Sequence, residues 1–206
     1  MIDIGCAVGK WMPVLAPIFK TVRAIDISAK NLAIAEKKYK KYDNISYECV
    51  DMSAAKLKPQ KYDSAICINA ILTESLKKRD LFFKHMSSFI KKGGDLVLVV
   101  PSLESKLFSH IIANKWNVDD AKKDIAPKGK RAISQIRFIK DGVTDIDDTP
   151  TKHFLKEELE LLLTLAGFEV EKIEKIKYKW STEFHKPPSW LKHPQPWDWM
   201  VKAKKK

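Results

Sequence analysis

The sequence predicts an α/β fold in which helices cover both faces of a parallel sheet. Short β-rich segments alternate with helical patterns over the first hundred residues, as is typical of parallel sheets. The segment YDSAICINA, at 62–70, is apolar enough to be a strand buried on both faces. Right-handed crossovers bring the carboxyl ends of parallel strands to one edge, where ligands bind. That edge is therefore where we expect a functional site.

The first half of the chain divides into five predicted strands with helices between them. The strands are, in chain order, MIDIG, VRAIDIS, ISYECVD, YDSAICINA and DLVLVVP. Ser28 is placed to cap a helix over 29–42, because its hydroxyl can accept from the first free amides. This helix has one apolar face, formed by Leu32, Ala35, Tyr39 and Tyr42. A second helix, over 76–92, has Phe82, Met86 and Phe89 at helical spacing, and we expect it to end at Gly93–Gly94.

The second half of the chain does not continue this alternation of strands and helices. It predicts a helix over 103–116, a hairpin over 133–147 with Asp141–Gly142 in its turn, and a helix over 154–167. That last helix would turn Leu155, Leu159, Leu162 and Ala166 inward and stop at Gly167. A strand over 168–180 and a short strand near 197–203 complete the series. We treat residues 1–206 as one domain, with 102–150 and 181–196 as insertions beside the substrate.

Composition limits the cellular setting and the partners. The formal net charge is +12, but only four of the 38 basic residues are arginines, which are preferred in specific phosphate recognition. A solvated lysine surface is therefore favoured over a nucleic-acid interface. No signal peptide or membrane span is predicted, and three cysteines without a paired spacing indicate a reducing compartment, so we expect a cytoplasmic protein. The oligomeric state is left open.

The turn Gly5-Cys6-Ala7-Val8-Gly9 directly follows the first strand. It fails as a phosphate-binding P-loop, because three residues rather than four separate the glycines and Trp11 follows Lys10. It is a weak dinucleotide fingerprint, because Lys10 occupies a position that requires a very small side chain. The remaining pattern is Asp-x-Gly-x-Gly-x-Gly, in which Ala7 stands where a glycine is usual.

This pattern resembles motif I of the class I S-adenosylmethionine-dependent methyltransferases. AIDIS and VDMS are similar to the second and third motifs, YDSAICINAI and IKKGGDLVLVVPS to the fourth and fifth, and LKEELELLLTLAGFEVEKIE to the closing helix–strand unit. The resemblance implies a Rossmann-like fold with a mostly parallel seven-stranded sheet and an inserted helix–hairpin segment. It also implies S-adenosyl-L-methionine as the cofactor.

The resemblance assigns cofactor contacts to residues along the sheet edge. The amino-acid end of the cofactor would face the turn, where glycines permit close backbone approach. Asp26 would accept from the ribose hydroxyls, and Asp51 from the adenine amino group. The full set of implied cofactor-binding residues is Asp3, Gly5, Cys6, Ala7, Gly9, Asp26, Ile27, Asp51, Met52 and Asn69.

Each of the polar residues also has a purely structural interpretation. Asp3 could bond the turn backbone, and Asp26 could cap the following helix. Asp51 and Asn69 could satisfy local backbone groups at the ends of their strands. No metal site is predicted.

The methyl acceptor is not defined by a motif. The signatures of amino-methylating and cytosine-C5-methylating nucleic-acid enzymes are absent, which favours a small-molecule acceptor. The alternatives are a methyltransferase for RNA or protein, motivated by the net charge, and a non-catalytic S-adenosylmethionine-binding module, motivated by Ala7. We assign no catalytic residue, and interpret His110 and His153 as core or surface residues. Six aromatic residues, interpreted mainly as core and loop anchors, are Trp116, Tyr178, Trp180, Trp190, Trp197 and Trp199.

In the methyltransferases that this sequence resembles, helical segments precede the first strand. Met1 lies inside that strand here, so we expect a shortened amino terminus, weak cofactor binding and poor turnover for residues 1–206 alone.

Overall fold

One mixed sheet of seven strands forms the centre of the protein. The computed structural model describes residues 1–58, 60–116, 141–146 and 149–206. The strands in spatial order are β3 (Ile45–Cys49), β2 (Val22–Asp26), β1 (Ile2–Ile4), β4 (Tyr62–Ile68), β5 (Ile90–Pro101), β9 (Trp197–Lys205) and β8 (Phe168–Lys177). Strands β1 to β5 are parallel, and β9 is antiparallel to both of its neighbours. The predicted mostly parallel seven-stranded sheet is confirmed.

Helices cover the two faces of the sheet. The helices are α1 (Met12–Ile18), α2 (Ala29–Lys38), α3 (Leu76–Ser88), α4 (Leu103–Trp116) and α5 (Lys156–Leu165). Helices α1 and α2 bury their apolar side chains against one face, over β1 and β2. Helices α3 and α5 pack on the other face, against a larger core that includes Ile2, Leu96 and Leu98. None of the described helices is long and apolar enough to cross a membrane.

Serine caps begin two of the helices. The Ser28 hydroxyl accepts from the Asn31 amide at 3.3 Å, which confirms the predicted start of α2. The Ser75 hydroxyl accepts from the Lys78 amide at the start of α3. Of the predicted inward face, Leu32, Ala35 and Tyr39 are buried, but α2 ends at Lys38, before Tyr42, which is only half-buried.

Helix α3 ends earlier than the sequence predicts. It stops at Ser88, and β5 already begins at Ile90, so Gly93–Gly94 lie inside the strand. A Cβ on Gly94 would come within 2.8 Å of the Asp63 carbonyl oxygen, so this glycine lets β5 approach β4 closely. The register between β4 and β5 shifts beside it, between Tyr62 and Ser64. The glycine pair therefore marks an irregularity in a strand rather than the end of a helix.

Burial on β4 and α5 also differs from prediction. Ala65 and Cys67 are buried on one face of β4, but Ile66 and Ile68 on the other face stay partly exposed. The strand is therefore fully covered on one side only. Leu155 precedes α5 as its capping residue and is 39% exposed, because the inward positions of this helix are Leu159 and Leu163.

The hairpin lies later in the chain than expected. It consists of β6 (Val143–Ile146) and β7 (Thr149–Lys152), so the chain reverses between 146 and 149. Asp141–Gly142 do form a turn, but the strand predicted before it falls outside the described residues. The last strand, β9, has nine residues and is not short.

A buried lysine ties the hairpin to the rest of the domain. The Lys152 ammonium donates to the Glu158 carboxylate at 2.6 Å and to the Asp141 carbonyl at 2.9 Å. The Lys152 side chain is 2% exposed and that of Glu158 is 31% exposed. The Lys152 amide also donates to the Leu72 carbonyl, just beyond β4. The hairpin is thereby held beside the carboxyl end of β4.

We predict that removing the two charges of this ion pair has unequal effects. Glu158→Gln should lower the free energy of unfolding by about 2 kcal/mol, because it leaves a buried ammonium without a counter-charge. Lys152→Met should lower it by less than about 1 kcal/mol, because the partly exposed carboxylate regains water. Urea unfolding measures both variants, with Glu174→Gln in the exposed Lys172–Glu174 pair as a control that should stay within about 0.5 kcal/mol. Equal decreases in the free energy of unfolding for Glu158→Gln and Lys152→Met would contradict this account.

Candidate cofactor site

The carboxyl ends of β1 to β4 form one rim, which carries the residues that the sequence singled out. The turn over 5–9 follows β1, Asp26 ends β2, Asp51 follows β3, and Asn69 follows β4. The parallel pairing of these strands places the four segments side by side.

The glycines of the turn are required by packing inside the protein. Gly5 and Gly9 both have φ of +76°, which L side chains rarely adopt. A Cβ on Gly5 would lie 2.3 Å from the Ala70 Cβ, and one on Gly9 would lie 2.9 Å from the Tyr39 ring. Their immediate role is thus to bring the turn against the loop after β4 and against α2. Ala7, in place of the usual glycine, also has a positive φ, of 45°.

Protein acceptors already occupy most backbone amides of the turn. The Gly5 and Cys6 amides both donate to the Ile25 carbonyl, and the Gly9 amide donates to the Cys6 carbonyl. The Ala7 amide donates to Asp26 Oδ2 at 2.8 Å. A phosphate-binding turn needs free amides that converge on an anion. With four amides used and two carboxylates close by, this turn is unsuited to a phosphate.

Asp26 is fixed by the backbone on both sides. Its Oδ2 accepts from Ala7 and its Oδ1 accepts from the Ser28 amide, also at 2.8 Å. The residue is 9% exposed. Because each carboxylate oxygen has two acceptor positions, both oxygens keep one for a further donor. The structural role and a ligand-binding role of Asp26 are thus compatible.

Asp3 is the least satisfied polar group at the rim. It is 2% exposed, and its Oδ2 is buried without a hydrogen-bond partner among the described residues. Burial, reinforced by the negative charge of Asp26, raises the pKa of Asp3 to about 7. The same surroundings raise the pKa of the neighbouring Cys6 thiol to about 12, chiefly through burial. Because Asp3 Oδ2 has no donor and lies beside Asp26, this position suits a ligand group that is cationic or that donates hydrogen bonds.

Asp51 is held by its own turn. Its Oδ1 accepts from the Ser53 amide at 2.8 Å and from the Ser53 hydroxyl at 2.6 Å. These hydrogen bonds are the main cause that lowers the pKa of Asp51. Met52 is buried in the main core, and its carbonyl oxygen lies 2.9 Å from Nδ1 of the buried His85. Ser53 and His85 therefore position this end of the rim, although the sequence analysis did not select them.

Two further predicted residues have different settings. Ile27 is 68% exposed, directly after Asp26, and offers an apolar surface at the rim. Asn69 has a φ of 50°, and its amide group donates to Asp198 Oδ2 at 3.3 Å. Asn69 is therefore linked to the second half of the sheet rather than to its own loop alone.

The remaining candidates from the sequence belong to the second half of the chain. His153 is buried, its Nδ1 is 3.0 Å from the Thr151 carbonyl oxygen and 3.1 Å from the Thr144 hydroxyl, and burial lowers its pKa to about 4. Trp180, Phe184 and Leu191 form a small core with Ile112 of α4. This core joins parts of the two segments that the sequence predicts as substrate-side insertions.

The residues of the rim fit S-adenosylmethionine. The buried, unpartnered oxygen of Asp3 matches an ammonium group, and the two open positions on Asp26 match a pair of ribose hydroxyls. Exposed Ile27 and the carboxylate of Asp51 match the apolar ring and the amino group of adenine. No part of this set requires a phosphate.

The strand order, the antiparallel β9 and this acidic rim define a class I S-adenosylmethionine-dependent methyltransferase fold. Residues 1–94 match the model of a methyltransferase-domain family. This match and the fold support the predicted class I S-adenosylmethionine-dependent methyltransferase superfamily and S-adenosylmethionine as its cofactor. The predicted fold class is confirmed.

Curated relatives match part of the chain. A probable S-adenosylmethionine-dependent methyltransferase from Saccharomyces cerevisiae is 34% identical over 100 residues, which are 46% of this chain and 33% of the relative. A ubiquinone biosynthesis O-methyltransferase from Pelagibacter ubique is 29% identical over 114 residues, 55% of this chain and 45% of the relative. The chain thus matches less than half the length of each of these two relatives.

Solved structures match over the whole chain. A methyltransferase from Methanosarcina mazei superposes with a TM-score of 0.65 at 18% identity, covering 99% of this chain and 91% of the other. Magnesium protoporphyrin IX methyltransferase from Synechocystis, solved with bound S-adenosylhomocysteine, has a TM-score of 0.61 at 15% identity, covering 100% and 73%. At these identities the comparison supports the fold.

We predict that Asp3 makes stability fall as pH rises. Its pKa in the folded protein is about 7, above the value of about 4 in an unfolded chain, so the folded state binds more protons between these pH values. The stabilising contribution of Asp3 to the free energy of unfolding is fully present below about pH 4, declines between pH 4 and pH 7, and is lost above about pH 7. Asp3→Asn should therefore be more stable than wild type at pH 8, by about 1–3 kcal/mol, after the burial of one unpaired amide donor is deducted.

Urea unfolding at pH 5 and pH 8 tests this prediction. The difference in stability between these pH values should shrink in Asp3→Asn but not in Asp63→Asn, whose carboxylate is exposed and paired with Lys91. An identical pH dependence in wild type and Asp3→Asn would exclude Asp3 as the source.

Proposed function

We propose that the protein transfers the methyl group of S-adenosylmethionine to a small-molecule acceptor. The observation that carries this proposal is the row of carboxylates from β1, β2 and β3 beside a turn whose amides are already bonded. Such a rim favours a ligand that is cationic, rich in hydrogen-bond donors and free of phosphate. S-adenosylmethionine has all three properties, whereas a dinucleotide brings a pyrophosphate next to Asp3 and Asp26.

The residues of the rim have separate tasks in this proposal. Asp3 pairs with the cofactor ammonium, and Asp26 accepts from the ribose hydroxyls. Ile27 packs against the adenine ring, and Asp51 accepts from its amino group. Bound in this way, the cofactor supplies an electrophilic methyl group on a sulfonium, and orientation of the acceptor accounts for much of the acceleration.

The acceptor class rests on the relatives and on the rim's surroundings. Curated relatives include O-methyltransferases of ubiquinone biosynthesis, and the magnesium protoporphyrin IX methyltransferase shares the fold. Both names denote small-molecule acceptors. In this chain, the segments around the hairpin and around 180–191 lie beside α4, where they can shape a pocket for such an acceptor.

RNA is the second candidate acceptor, favoured by the net charge of +12. If RNA is the substrate, a labelled oligonucleotide should bind at low salt and dissociate steeply as salt rises, because lysines release counterions from phosphates. Cofactor affinity should change little over the same range. Absence of salt-dependent RNA binding at low ionic strength would remove this candidate.

We predict that Asp26→Ala weakens S-adenosylmethionine binding about 10- to 100-fold. Loss of charge-assisted hydrogen bonds to the ribose corresponds to about 1.5–3 kcal/mol, and every 1.4 kcal/mol is tenfold. Isothermal titration calorimetry at 25 °C measures the affinity.

The matched control is Asp63→Ala, which removes an exposed carboxylate on β4 and should leave the affinity unchanged. Because Asp26 also bonds the Ala7 and Ser28 amides, urea unfolding without cofactor shows how much of the variant is folded at 25 °C. A folded Asp26→Ala protein with wild-type affinity would remove Asp26 from the site. Binding without transfer to any metabolite, RNA or protein fraction would instead favour a non-catalytic cofactor-binding module.

A further inference from the structure

Asp198 brings a carboxylate from the far half of the sheet to the rim. It is the second residue of β9, where it lies opposite Pro101 of β5 and Ile176 of β8. Its Oδ2 accepts a hydrogen bond from the side-chain amide of Asn69 at 3.3 Å, so Asp198 lies beside the loop that follows β4. The antiparallel direction of β9 makes this contact possible, since it places the start of β9 at the carboxyl end of β5.

Polar side chains of the second half of the chain lie near Asp198. Tyr178 follows β8, and its hydroxyl donates to the Glu183 carboxylate at 3.0 Å. The Tyr178 hydroxyl also bonds Ser105 of α4, whose Oγ accepts from the Trp197 amide. Among the described residues, no lysine or arginine forms an ion pair with Asp198 or Glu183. Within the part of the chain that the structure describes, Asp198 is therefore an acidic position at the rim without an ion-pair partner.

The position of Asp198 separates it from the proposed cofactor contacts. Asp3, Asp26 and Asp51 lie at the ends of β1 to β3, whereas Asp198 lies beyond β4 and β5 in the sheet order. Asn69, after β4, connects the two groups. The acceptor must reach the methyl group from a direction that the proposed cofactor contacts do not occupy, and the β4–β5–β9 side of the rim carries none of Asp3, Asp26 and Asp51.

We propose that Asp198 receives the hydrogen bond, and then the proton, of the hydroxyl or amino group that is methylated. This inference rests on the proposed methyl transfer. The lone pair of the acceptor oxygen or nitrogen forms the new bond to the methyl carbon, and the carbon–sulfur bond breaks with its electron pair going to sulfur. The proton of the acceptor moves to the Asp198 carboxylate, so the sulfonium becomes a neutral thioether and charge is balanced.

The negative charges of Asp198 and Glu183 also affect which acceptors can bind at this position. A hydroxyl or neutral amino group donates a hydrogen bond to Asp198, and Asn69 holds the carboxylate in place. An acceptor with a carboxylate or phosphate near this position is repelled by Asp198 and Glu183, neither of which has an ion-pair partner among the described residues. We therefore expect neutral or cationic acceptors to be preferred over anionic ones.

The effect of Asp198 on stability distinguishes the proposed role from a purely structural one. Burial is the main cause that raises its pKa, with Glu183 adding to the effect and the Asn69 hydrogen bond opposing it. A raised pKa means that the carboxylate form destabilises the folded state at neutral pH. Asp198→Asn should thus have a higher urea midpoint than wild type at pH 8, and the advantage should vanish at a pH below the pKa of an unfolded aspartate. A group kept for stability would give a lower midpoint instead.

The test uses Asp198→Asn with Asp95→Asn as a matched control. Asp95 is exposed, at the opposite end of β5, and faces Lys204. Calorimetry with S-adenosylhomocysteine should give equal affinities for wild type and both variants. Methyl transfer from labelled S-adenosylmethionine is measured with tyramine and 4-hydroxyphenylacetate, which share a phenol and differ in the charge of the side arm. We expect tyramine to be the better acceptor, and Asp198→Asn to lower transfer by about 10²- to 10⁴-fold.

The outcomes separate this inference from the function on which it rests. Failure of wild type to bind S-adenosylhomocysteine contradicts the proposed function itself. Normal binding with equal transfer rates in Asp198→Asn and wild type overturns the role of Asp198, as does a preference for 4-hydroxyphenylacetate. If wild type methylates neither phenol, the unfolding comparison decides: a lower urea midpoint for Asp198→Asn at pH 8 overturns the proposal, and a higher one supports it.

Discussion

The hydrogen bond from the Ala7 amide to Asp26 Oδ2 is the interaction on which the cofactor rim depends. It joins the turn after β1 to the end of β2, while the Gly5 and Cys6 amides bond the adjacent Ile25 carbonyl. These contacts hold the turn in a conformation that requires positive φ at three positions. They also consume the amides that a phosphate site would need, so one set of hydrogen bonds both shapes the turn and limits what it can bind.

Placing carboxylates at this turn has an electrostatic consequence. Asp3 is buried next to Asp26, and its raised pKa shows that the folded protein resists a second negative charge there. A ligand with an ammonium and a sulfonium relieves this repulsion, whereas a phosphate increases it. Folding thus places Asp3 in an unfavourable position, buried beside the negative charge of Asp26. A cationic ligand can offset this unfavourable interaction, as is common in binding sites.

Segments from the second half of the chain pack beside the rim. The buried Lys152–Glu158 pair holds the hairpin beside the end of β4, and the aromatic core around Trp180 joins the 180–191 segment to α4. The antiparallel β9 then places Asp198 against Asn69, 129 residues apart in sequence. The proposed cofactor contacts therefore come from the first third of the chain, and the proposed acceptor contact comes from its end.

The sequence by itself determined the fold class, the strand series and the rim. Alternating apolar segments define which residues end strands, and parallel strands must bring those ends to one edge. The turn over 5–9, Asp26, Asp51 and Asn69 could therefore be grouped before any coordinates were known, whereas Asp3 was assigned through the resemblance to motif I. The Ser28 cap was equally predictable, because it depends only on neighbouring amides. Local patterns of this kind follow from the chain's own periodicity and hydrogen-bonding groups.

Only the tertiary structure decided the features that depend on distant partners. Gly93–Gly94 look like a helix stop, yet Gly94 serves the close pairing of β5 with β4, which no local pattern reveals. The exposed side of β4 and the outward position of Leu155 depend on which helices cover the sheet. Asp198 lies in an ordinary polar–aromatic segment, and its surroundings are set by strand direction and by Asn69, Tyr178 and Glu183. Burial and the lack of an ion-pair partner among the described residues depend on the assembled sheet, and the role proposed for this carboxylate rests on both.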